Sequence, residues 1–566
     1  MDFNDLEKKY KRLNISGEAN LINYYSTRIS RSNNIQDKNK FIKEVDIIKR
    51  RYYDYTEYVY IKTTQDMNDE FFLQEAKYIQ DNEDEFEKAC VKFAQTLLDD
   101  DDIDELKTRW GKYFFDKLNV MQNLFNKDVI GLNINERKTI EQMNEYRASK
   151  SISFNNEKIT NKNLHKYVSS QNRDTRKNLF INMNKSNLEY KDYYSEKYRD
   201  LIVIRHKIAR RLGYDGYLEY SDKDRCRIDY DHNDIINFRK AIKKYLASNI
   251  HQITDIQREK LKVDKLYTYD LRVYFKDCKP TPLSDPYLIL NKISKRLKNI
   301  NPILTNIIKK MFTDKSFDLS PRENKANINY ASYIINNDIS FMFANYERSA
   351  KSFMDFTVCL SYALLNYISS YNELIEYTNP QDDIAEAFSI AFNFIIFEFA
   401  NELFIKDYKK YIISYKIKLL YDILFYCLIN EFEESLYLDI KTDVNVRYNI
   451  FRKLHHEYFP FISVDENVFD VGMWWLNYYT LFNRPMLSIN FALGAFSGID
   501  YCNKLLEDKN DAIKSFNTMM DKAGKEDFLK TIVSSNLKNP FDCESVKTVV
   551  EKYIKNLKDE YKNIKY

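Results

Sequence analysis

The stretch MDFTVCLSYALLNYISSY, residues 354–371, decides the fold class. Between Asp355 and Glu373 it runs for 17 residues without a charged side chain. Serine, asparagine and tyrosine recur throughout it, whereas a helix that crosses a bilayer needs about 20 mainly apolar residues. The stretch is therefore too short and too polar for a membrane span, and it indicates a buried helix of a globular protein.

The rest of the chain is poor in residues that break helices. Gly and Pro number 9 each, so they make up 18 of 566 residues, roughly 3%, against an ordinary share of about 12%. Long helices are therefore predicted over most of the chain, including 284–311, 384–404, 415–438 and 544–558. The best strand candidate is a hairpin within 328–346, with strands Tyr333–Ile335 and Ile339–Phe343 around a polar turn.

Charge and cysteine content exclude several classes of function. Lys plus Arg total 87 and Asp plus Glu total 84, so the net charge of +3 gives no electrostatic case for nucleic acid or an anionic membrane. The seven cysteines are scattered and form no CxxC pair, which is typical of a reduced protein without disulfides or a cysteine-rich zinc site. The charged start of the sequence, Met1 to Glu7, lacks the apolar core of a signal peptide. We expect a cytoplasmic protein that binds neither nucleic acid nor membrane.

A search for catalytic motifs finds none. Six histidines are present, but no HExxH, GxxxxGK[ST], GxGxxG or GxSxG pattern occurs. His455 and His456 are adjacent, so on a helix they point about 100° apart and are expected to be ordinary surface or boundary residues. Glu431 and Glu433 would lie on different helix faces, which argues against a shared acid/base pair.

Several short patterns nevertheless occur in a specific order along the chain. They are the segment 51–72, Arg173 with Arg176, ARRLGY at 209–214, FANY at 343–346, IAEAFS at 384–389, NEFE at 430–433 and NPF at 539–541. Each pattern is weak alone. In this shared order they resemble the oligoendopeptidase F family of zinc metallopeptidases, which are relatives of thimet oligopeptidase, from about residue 8 to residue 560.

The sequence departs from that family at the positions that carry catalysis. Counted forward from FANY, the family's HExxH falls on VCLSY at 358–362. Val358 and Tyr362 then replace the two zinc-binding histidines, and Cys359 replaces the general-base glutamate. Glu386 keeps the carboxylate of the third ligand. The positions of the oxyanion-binding His and Tyr residues correspond to Thr480, Leu487 and Phe491.

These replacements remove each part of zinc-dependent hydrolysis. A catalytic zinc needs about three protein ligands and an open position for water. Val358 has no lone pair, and a neutral phenol at Tyr362 is a poor ligand because its pKa is about 10. Glu386 alone is not expected to hold zinc, so no cofactor is predicted. Cys359 has no histidine near it in sequence, and a buried, inert thiol is expected.

The resemblance predicts a mostly α, two-lobed fold of the zincin-type oligoendopeptidase F kind, with a deep channel and a small β-sheet. Residues 1–130 would form an N-terminal helical lobe. Residues 131–566 would form a catalytic-like domain, with the sheet at about 328–346 and degenerate active-site helices at 354–371 and 384–404.

The predicted function is that of a catalytically inactive pseudopeptidase that binds a peptide or a protein partner, alone or in a homo- or hetero-oligomer. Peptide contacts are expected at the hairpin, at Tyr333, Phe341, Phe343 and Tyr346. Two alternatives stay open. One is an active peptidase with a rebuilt metal site or with Cys359 as nucleophile, and the other is a purely structural subunit of an oligomer with an active paralogue.

Overall fold

A computed structural model describes residues 3–124, 126–149, 152–155, 157–160 and 163–564. In this part of the chain, helices dominate and three small sheets contain two, two and three strands. The mostly α architecture with a small sheet, predicted from the sequence, is therefore confirmed. Within these residues, no helix is long and apolar enough to cross a membrane.

The elements are numbered in chain order. The helices are α1 Phe3–Lys8, α2 Ile15–Arg31, α3 Ile35–Gln65, α4 Glu70–Leu98, α5 Ile103–Trp110, α6 Lys112–Leu124, α7 Ile130–Ser149, α8 Leu164–Val168, α9 Arg173–Arg211, α10 Tyr217–Asp224, α11 His232–Ile242, α12 His251–Leu261, α13 Pro286–Leu297, α14 Pro302–Thr313, α15 Ala350–Ser370, α16 Asp382–Phe397, α17 Tyr408–Leu438, α18 Val444–Tyr458, α19 Thr480–Asn483, α20 Ser488–Glu507, α21 Lys509–Lys522, α22 Phe528–Ser534 and α23 Cys543–Asn563. The strands are β1 Ile152–Phe154, β2 Glu157–Ile159, β3 Thr281–Pro282, β4 Phe317–Asp318, β5 Tyr330–Ile334, β6 Ile339–Phe343 and β7 Phe404–Lys406.

Two large apolar cores organise these elements. One is built mainly from α2 to α6, and the other from α9 to α23 together with α7. The β5–β6 hairpin lies between the two cores. Phe341 and Phe343 of β6 belong to the N-terminal core, whereas Met342, which points to the opposite face of the strand, belongs to the larger one. The predicted domain boundary near residue 130 stays a prediction.

The predicted hairpin forms close to the expected positions. β5 and β6 pair antiparallel, and Ile334 faces Ile339 across the turn. Asp338 adopts the left-handed backbone conformation with φ 53°, which asparagine and aspartate tolerate. The Asp54 carboxylate of α3 accepts hydrogen bonds from the backbone of Ile335 at 2.6 Å and of Asn336 at 2.8 Å. The turn is thereby tied to the N-terminal helices.

Some helix ends differ from the sequence prediction. The helix predicted at 354–371 is α15, which begins four residues earlier because Ser349 caps it, its hydroxyl accepting from the Ser352 N–H. The helix predicted over 384–404 ends at Phe397 and gives way to a short 3₁₀ turn and to β7, which pairs with β3. The helix predicted over 284–311 is two helices, because Pro302 starts a new one.

Helices α16 and α20 approach each other closely at two glycines of α20. A Cβ atom on Gly494 would lie 2.6 Å from the Cβ of Glu386, and one on Gly498 would overlap the side chain of Ile390. The two glycines are four residues apart on α20, and Glu386 and Ile390 are four residues apart on α16. The contact therefore runs along one face of each helix. Glycine is therefore required here for packing, although it is a poor helix former.

We expect Gly498→Ala to lower the free energy of unfolding by about 1–3 kcal/mol, because the added methyl group overlaps Ile390 and overpacks the core. The control is Gly131→Ala in α7, where a Cβ meets nothing within 4 Å. That change should leave stability equal or raise it by up to about 1 kcal/mol through helix propensity. Urea unfolding of the two variants measures both effects. Equal stability of Gly498→Ala and the native protein would contradict the packing argument.

Candidate functional site

The structure brings two of the predicted site positions into contact. Met354, Val358 and Tyr362 recur every four residues and form a half-buried stripe of α15. Glu386 projects from the neighbouring helix α16, and the Tyr362 hydroxyl donates a hydrogen bond to its Oε2 at 3.3 Å. Tyr362 and Glu386 thus share a site, with Val358 one turn away from Tyr362 on the same face.

The Glu386 carboxyl is easier to protonate than an ordinary glutamate. Burial disfavours its charged form and raises its pKa to about 7, with a further rise from Asp422. The Lys418 charge and the Tyr362 hydroxyl act in the opposite direction. The burial of Tyr362 and the nearby carboxylate also raise the pKa of its phenol well above 10. Near neutral pH, the pair is therefore a neutral phenol beside a partly protonated carboxyl group.

Cys359 is a buried side chain of α15, only 2% exposed. Its Sγ lies 3.7 Å from the Phe343 carbonyl oxygen of β6, to which the thiol donates. Burial raises the pKa of this thiol far above the usual range of a cysteine. The thiol therefore stays protonated near neutral pH.

Thr480, Leu487 and Phe491 lie on both sides of the start of α20. Thr480 opens the short helix α19 and is half-buried, whereas Leu487 is only 1% exposed and precedes α20. The Phe491 ring is half-buried and packs against Tyr426 of α17, with ring centroids 5.5 Å apart. Burial raises the pKa of Tyr426 well above 10, with further contributions from its neighbours, which include Glu386 and Tyr362.

Buried arginines that the sequence analysis did not identify hold the segment between α19 and α20. Arg205 of α9 donates to the carbonyls of Leu481 and Phe482 and to Glu136. Arg225 donates to the Pro485 carbonyl at 3.2 Å, and Arg227 donates to the Met486 carbonyl at 2.6 Å. The only sequence signal was the arginine residues themselves, because the carbonyls that they bind lie more than 200 positions away.

Glu433 of α17 completes this anchor. Its Oε1 accepts the Met486 N–H at 2.8 Å, and Met486 has a positive φ of 58°. Burial raises the pKa of the Glu433 carboxyl to about 8, against the effect of that N–H. Glu431 accepts hydrogen bonds from Lys243 and Tyr458 instead. As predicted, the two glutamates contact different partners.

The four predicted peptide contacts have buried side chains. Tyr333 packs on Tyr367, Phe341 on Phe3 and Phe343 on Tyr330. The hydroxyl of Tyr346 is bonded to the Leu283 carbonyl. β5 is an edge strand of the three described strands β4, β6 and β5. A peptide-binding role for these residues stays a prediction.

His455 differs from its expected position at the surface. It is fully buried, stacks on Phe459 with ring centroids 5.4 Å apart, and neither ring nitrogen has a hydrogen-bond partner. Burial lowers its pKa to about 3, so the imidazole is neutral. In the described part of the chain, no group of three or more His, Cys, Asp or Glu side chains is arranged to hold a metal ion.

Comparison with known proteins relates this arrangement to a family of peptidases. Residues 3–125 match the Peptidase M3 N-terminal domain. PZ peptidase A, solved with an inhibitor, superimposes with a TM-score of 0.90 at 23% identity, covering 97% of this chain and 98% of that chain. This chain has the oligoendopeptidase F fold. The resemblance predicted from the ordered motifs is therefore confirmed.

Two further structures of this fold extend the match. A protein assigned as oligoendopeptidase F from Bacillus anthracis strain Ames has 21% identity and a TM-score of 0.87, covering 98% of both chains. Oligoendopeptidase F from Enterococcus faecium has 12% identity and a TM-score of 0.65, covering 99% of this chain and 100% of that chain. No curated protein sequence matches this chain. At these sequence identities, the likeness establishes the fold, and any statement about chemistry must come from the residues of this chain.

The raised pKa of Glu386 predicts a pH-dependent effect of Glu386→Gln. Below a pH of about 4.5, the carboxyl is protonated in both the folded and the unfolded chain, and its charge has no effect. As the pH rises to about 7, the unfolded chain releases the proton first, so the native protein loses up to about 3 kcal/mol of stability. Glutamine avoids this loss.

We therefore expect the variant to match the native protein at low pH and to exceed its stability at pH values above the folded pKa. Urea unfolding in EDTA across this range measures the difference. Glu398→Gln, at the exposed end of α16, controls for the loss of a carboxylate on this helix. A stability difference that does not change with pH would contradict the raised pKa.

Proposed function

We propose that this protein is an oligoendopeptidase F-like pseudopeptidase, which binds peptides and does not cleave them. The observation that carries the proposal is the direct hydrogen bond between Tyr362 and Glu386. By the ordered resemblance, these are the positions of two of the three ligands of a zinc peptidase. Here the hydroxyl at one position donates to the carboxyl group at the other.

The residues at this site do not fit a catalytic zinc. Zinc takes about three protein ligands from cysteine, histidine or carboxylate side chains. Val358 offers no donor atom, Tyr362 is a phenol whose raised pKa keeps it neutral, and Glu386 contributes one carboxyl group. A single carboxyl that is partly protonated near pH 7 is a weak ligand. We therefore propose that the protein has no resident metal.

The remaining catalytic functions also lack the necessary groups. A general base must accept a proton from water, and the buried thiol of Cys359 is directed at a backbone carbonyl instead. An oxyanion requires preorganised hydrogen-bond donors, and the side chains of Leu487 and Phe491 have none. Thr480 retains a hydroxyl, but one donor does not replace the full set.

The alternatives are an enzyme with a rebuilt metal site, a cysteine peptidase and a structural subunit. The metal-site alternative needs a cluster of metal-binding side chains, and the described residues contain no group of three or more His, Cys, Asp or Glu side chains that could hold an ion. The cysteine alternative needs a thiolate, which the burial of Cys359 disfavours. We keep a cytoplasmic location and a homo- or hetero-oligomer with an active paralogue as parts of the proposal.

Two features support peptide binding. The strand β5 is at an edge of its sheet, and an extended peptide can add to such an edge as a further strand. Half-buried side chains of α15, α17 and α20 surround Glu386 and leave part of their surface accessible, among them Val358, Tyr426 and Phe491. A peptide could thus pair through its backbone and place a side chain against this face.

The absence of zinc and of hydrolysis is the first expected outcome. Elemental mass spectrometry of protein purified with added zinc should find less than about a tenth of an equivalent, because one carboxyl cannot hold the ion. Internally quenched peptides should stay intact, with PZ peptidase A as the positive control. Hydrolysis that a chelator abolishes would support the rebuilt metal site, and hydrolysis that iodoacetamide abolishes would support Cys359.

Peptide binding is the second expected outcome. We expect a fluorescein-labelled pentapeptide, Ala-Phe-Lys-Phe-Ala, to bind with a dissociation constant in the micromolar range, about 1–100 μM. Val358→Trp should abolish binding by filling the space beside Tyr362. Val533→Trp, at an exposed valine of α22, is the matched control and should not change it. If the native protein does not bind the peptide in a fluorescence polarisation titration, the structural-subunit alternative is favoured.

A further inference from the structure

Half-buried aromatic side chains lie near Glu386 and leave part of their surface accessible, and we call this accessible face the groove. We define this aromatic wall as Tyr362, Phe425, Tyr426, Tyr478 and Phe491. The Tyr426 ring lies 5.5 Å from Phe491, and Phe425 lies 5.3 Å from Tyr478. Neighbouring side chains on α17, such as Leu424 and Cys427, are fully buried, so the wall is the partly accessible face of this helix.

Two of the carboxyl groups near Glu386 form salt bridges. Asp422 binds Lys418 one turn away on α17, and Asp382 binds Arg484 at 3.1 Å. Glu386 has no salt bridge among the described residues, and its hydrogen bond to the Tyr362 hydroxyl is the only one described. Of the carboxyl groups of Asp422, Asp382 and Glu386, only that of Glu386 has no cationic partner, and it lies beside the aromatic wall.

We infer that this groove takes a positively charged side chain of the bound peptide, a lysine or an arginine, with its charge against Glu386 and over the aromatic wall. The inference rests on the proposed function and specifies its ligand. A cation that lies over a tyrosine or phenylalanine face within about 6 Å is attracted by the ring quadrupole, most strongly where water is partly excluded. A carboxylate beside such rings supplies the matching charge.

A neutral apolar side chain would use only part of this site. It could pack on the rings, but it would cover Glu386 and separate the carboxyl group from water without a compensating charge. An acidic side chain would be repelled by Glu386, Asp422 and Asp382. Charge complementarity therefore selects a cation among peptide side chains, and the half-buried rings select one with a long apolar stem, as lysine and arginine have.

The test compares Ala-Phe-Lys-Phe-Ala with Ala-Phe-Nle-Phe-Ala, in which norleucine keeps the apolar stem and lacks the ammonium group. Both peptides are labelled with fluorescein and titrated against the native protein. We expect the lysine peptide to bind about tenfold more tightly, because its ammonium group adds an ion pair and a cation–π contact. Equal binding of the two peptides would overturn this inference and leave the proposed function intact. Binding of neither peptide would overturn both.

Two variants test whether the preference for the lysine peptide over the norleucine peptide arises at the groove. Glu386→Gln should reduce the ratio between the two peptides to near one, while the norleucine peptide keeps its affinity. Tyr426→Leu should weaken the lysine peptide about threefold or more, since the ring face is removed and the apolar bulk is largely kept. Glu398→Gln, at the far end of α16, should leave the ratio unchanged. A lysine preference that survives Glu386→Gln would place the cation elsewhere and overturn the inference.

Discussion

The close approach of α16 and α20 is the contact on which the site depends. Gly494 and Gly498 lack the side chains that would hold the helices apart, so Glu386 and Ile390 pack directly against the α20 backbone. The same helix carries Phe491 one turn before Gly494, which fixes the ring relative to the carboxyl group. If α16 and α20 were farther apart by the width of a methyl group, Glu386 would lie farther from the aromatic wall.

The start of α20 is held by a separate set of interactions. Arg205, Arg225 and Arg227 donate to four carbonyls of the segment 481–486, and Glu433 accepts from its backbone. None of these groups is among the positions where the sequence departs from the zinc peptidases. Residues 358 and 359 take no part in these interactions, so this part of the oligoendopeptidase F fold is compatible with valine and cysteine at those positions. Charged groups buried in this way are costly to disrupt singly, because each leaves a partner unsatisfied.

Local sequence patterns predicted local structure, whereas contacts between segments that are distant in sequence could not be predicted. The hairpin at 330–343 and helix α15 follow from alternation, a polar turn and an uncharged run, all within about 20 residues. The end of α16 was missed because apolar side chains recur through the 3₁₀ turn into β7, and no glycine or proline marks the boundary. The ordered motifs indicated Glu386 and Tyr362. The glycine contact and the arginine anchor join segments separated by about 100 to nearly 280 positions, and no spacing rule connects such residues.

The proposed ligand site depends on why position 386 carries a glutamate and not a glutamine. A glutamine would fit the same space, accept the same hydrogen bond from Tyr362 and avoid the desolvation that raises the pKa of the carboxyl group to about 7. Glutamate is therefore the less stable choice for folding alone. A raised pKa alone does not mark a functional site, because the Glu433 carboxyl also has one and accepts a hydrogen bond from the Met486 backbone. Glu386 differs because it lies beside a partly accessible face and has no salt bridge among the described residues, so an ionic interaction is missing. A cation bound beside the aromatic wall would supply that interaction and would stabilise the ionised form of Glu386 only in the complex.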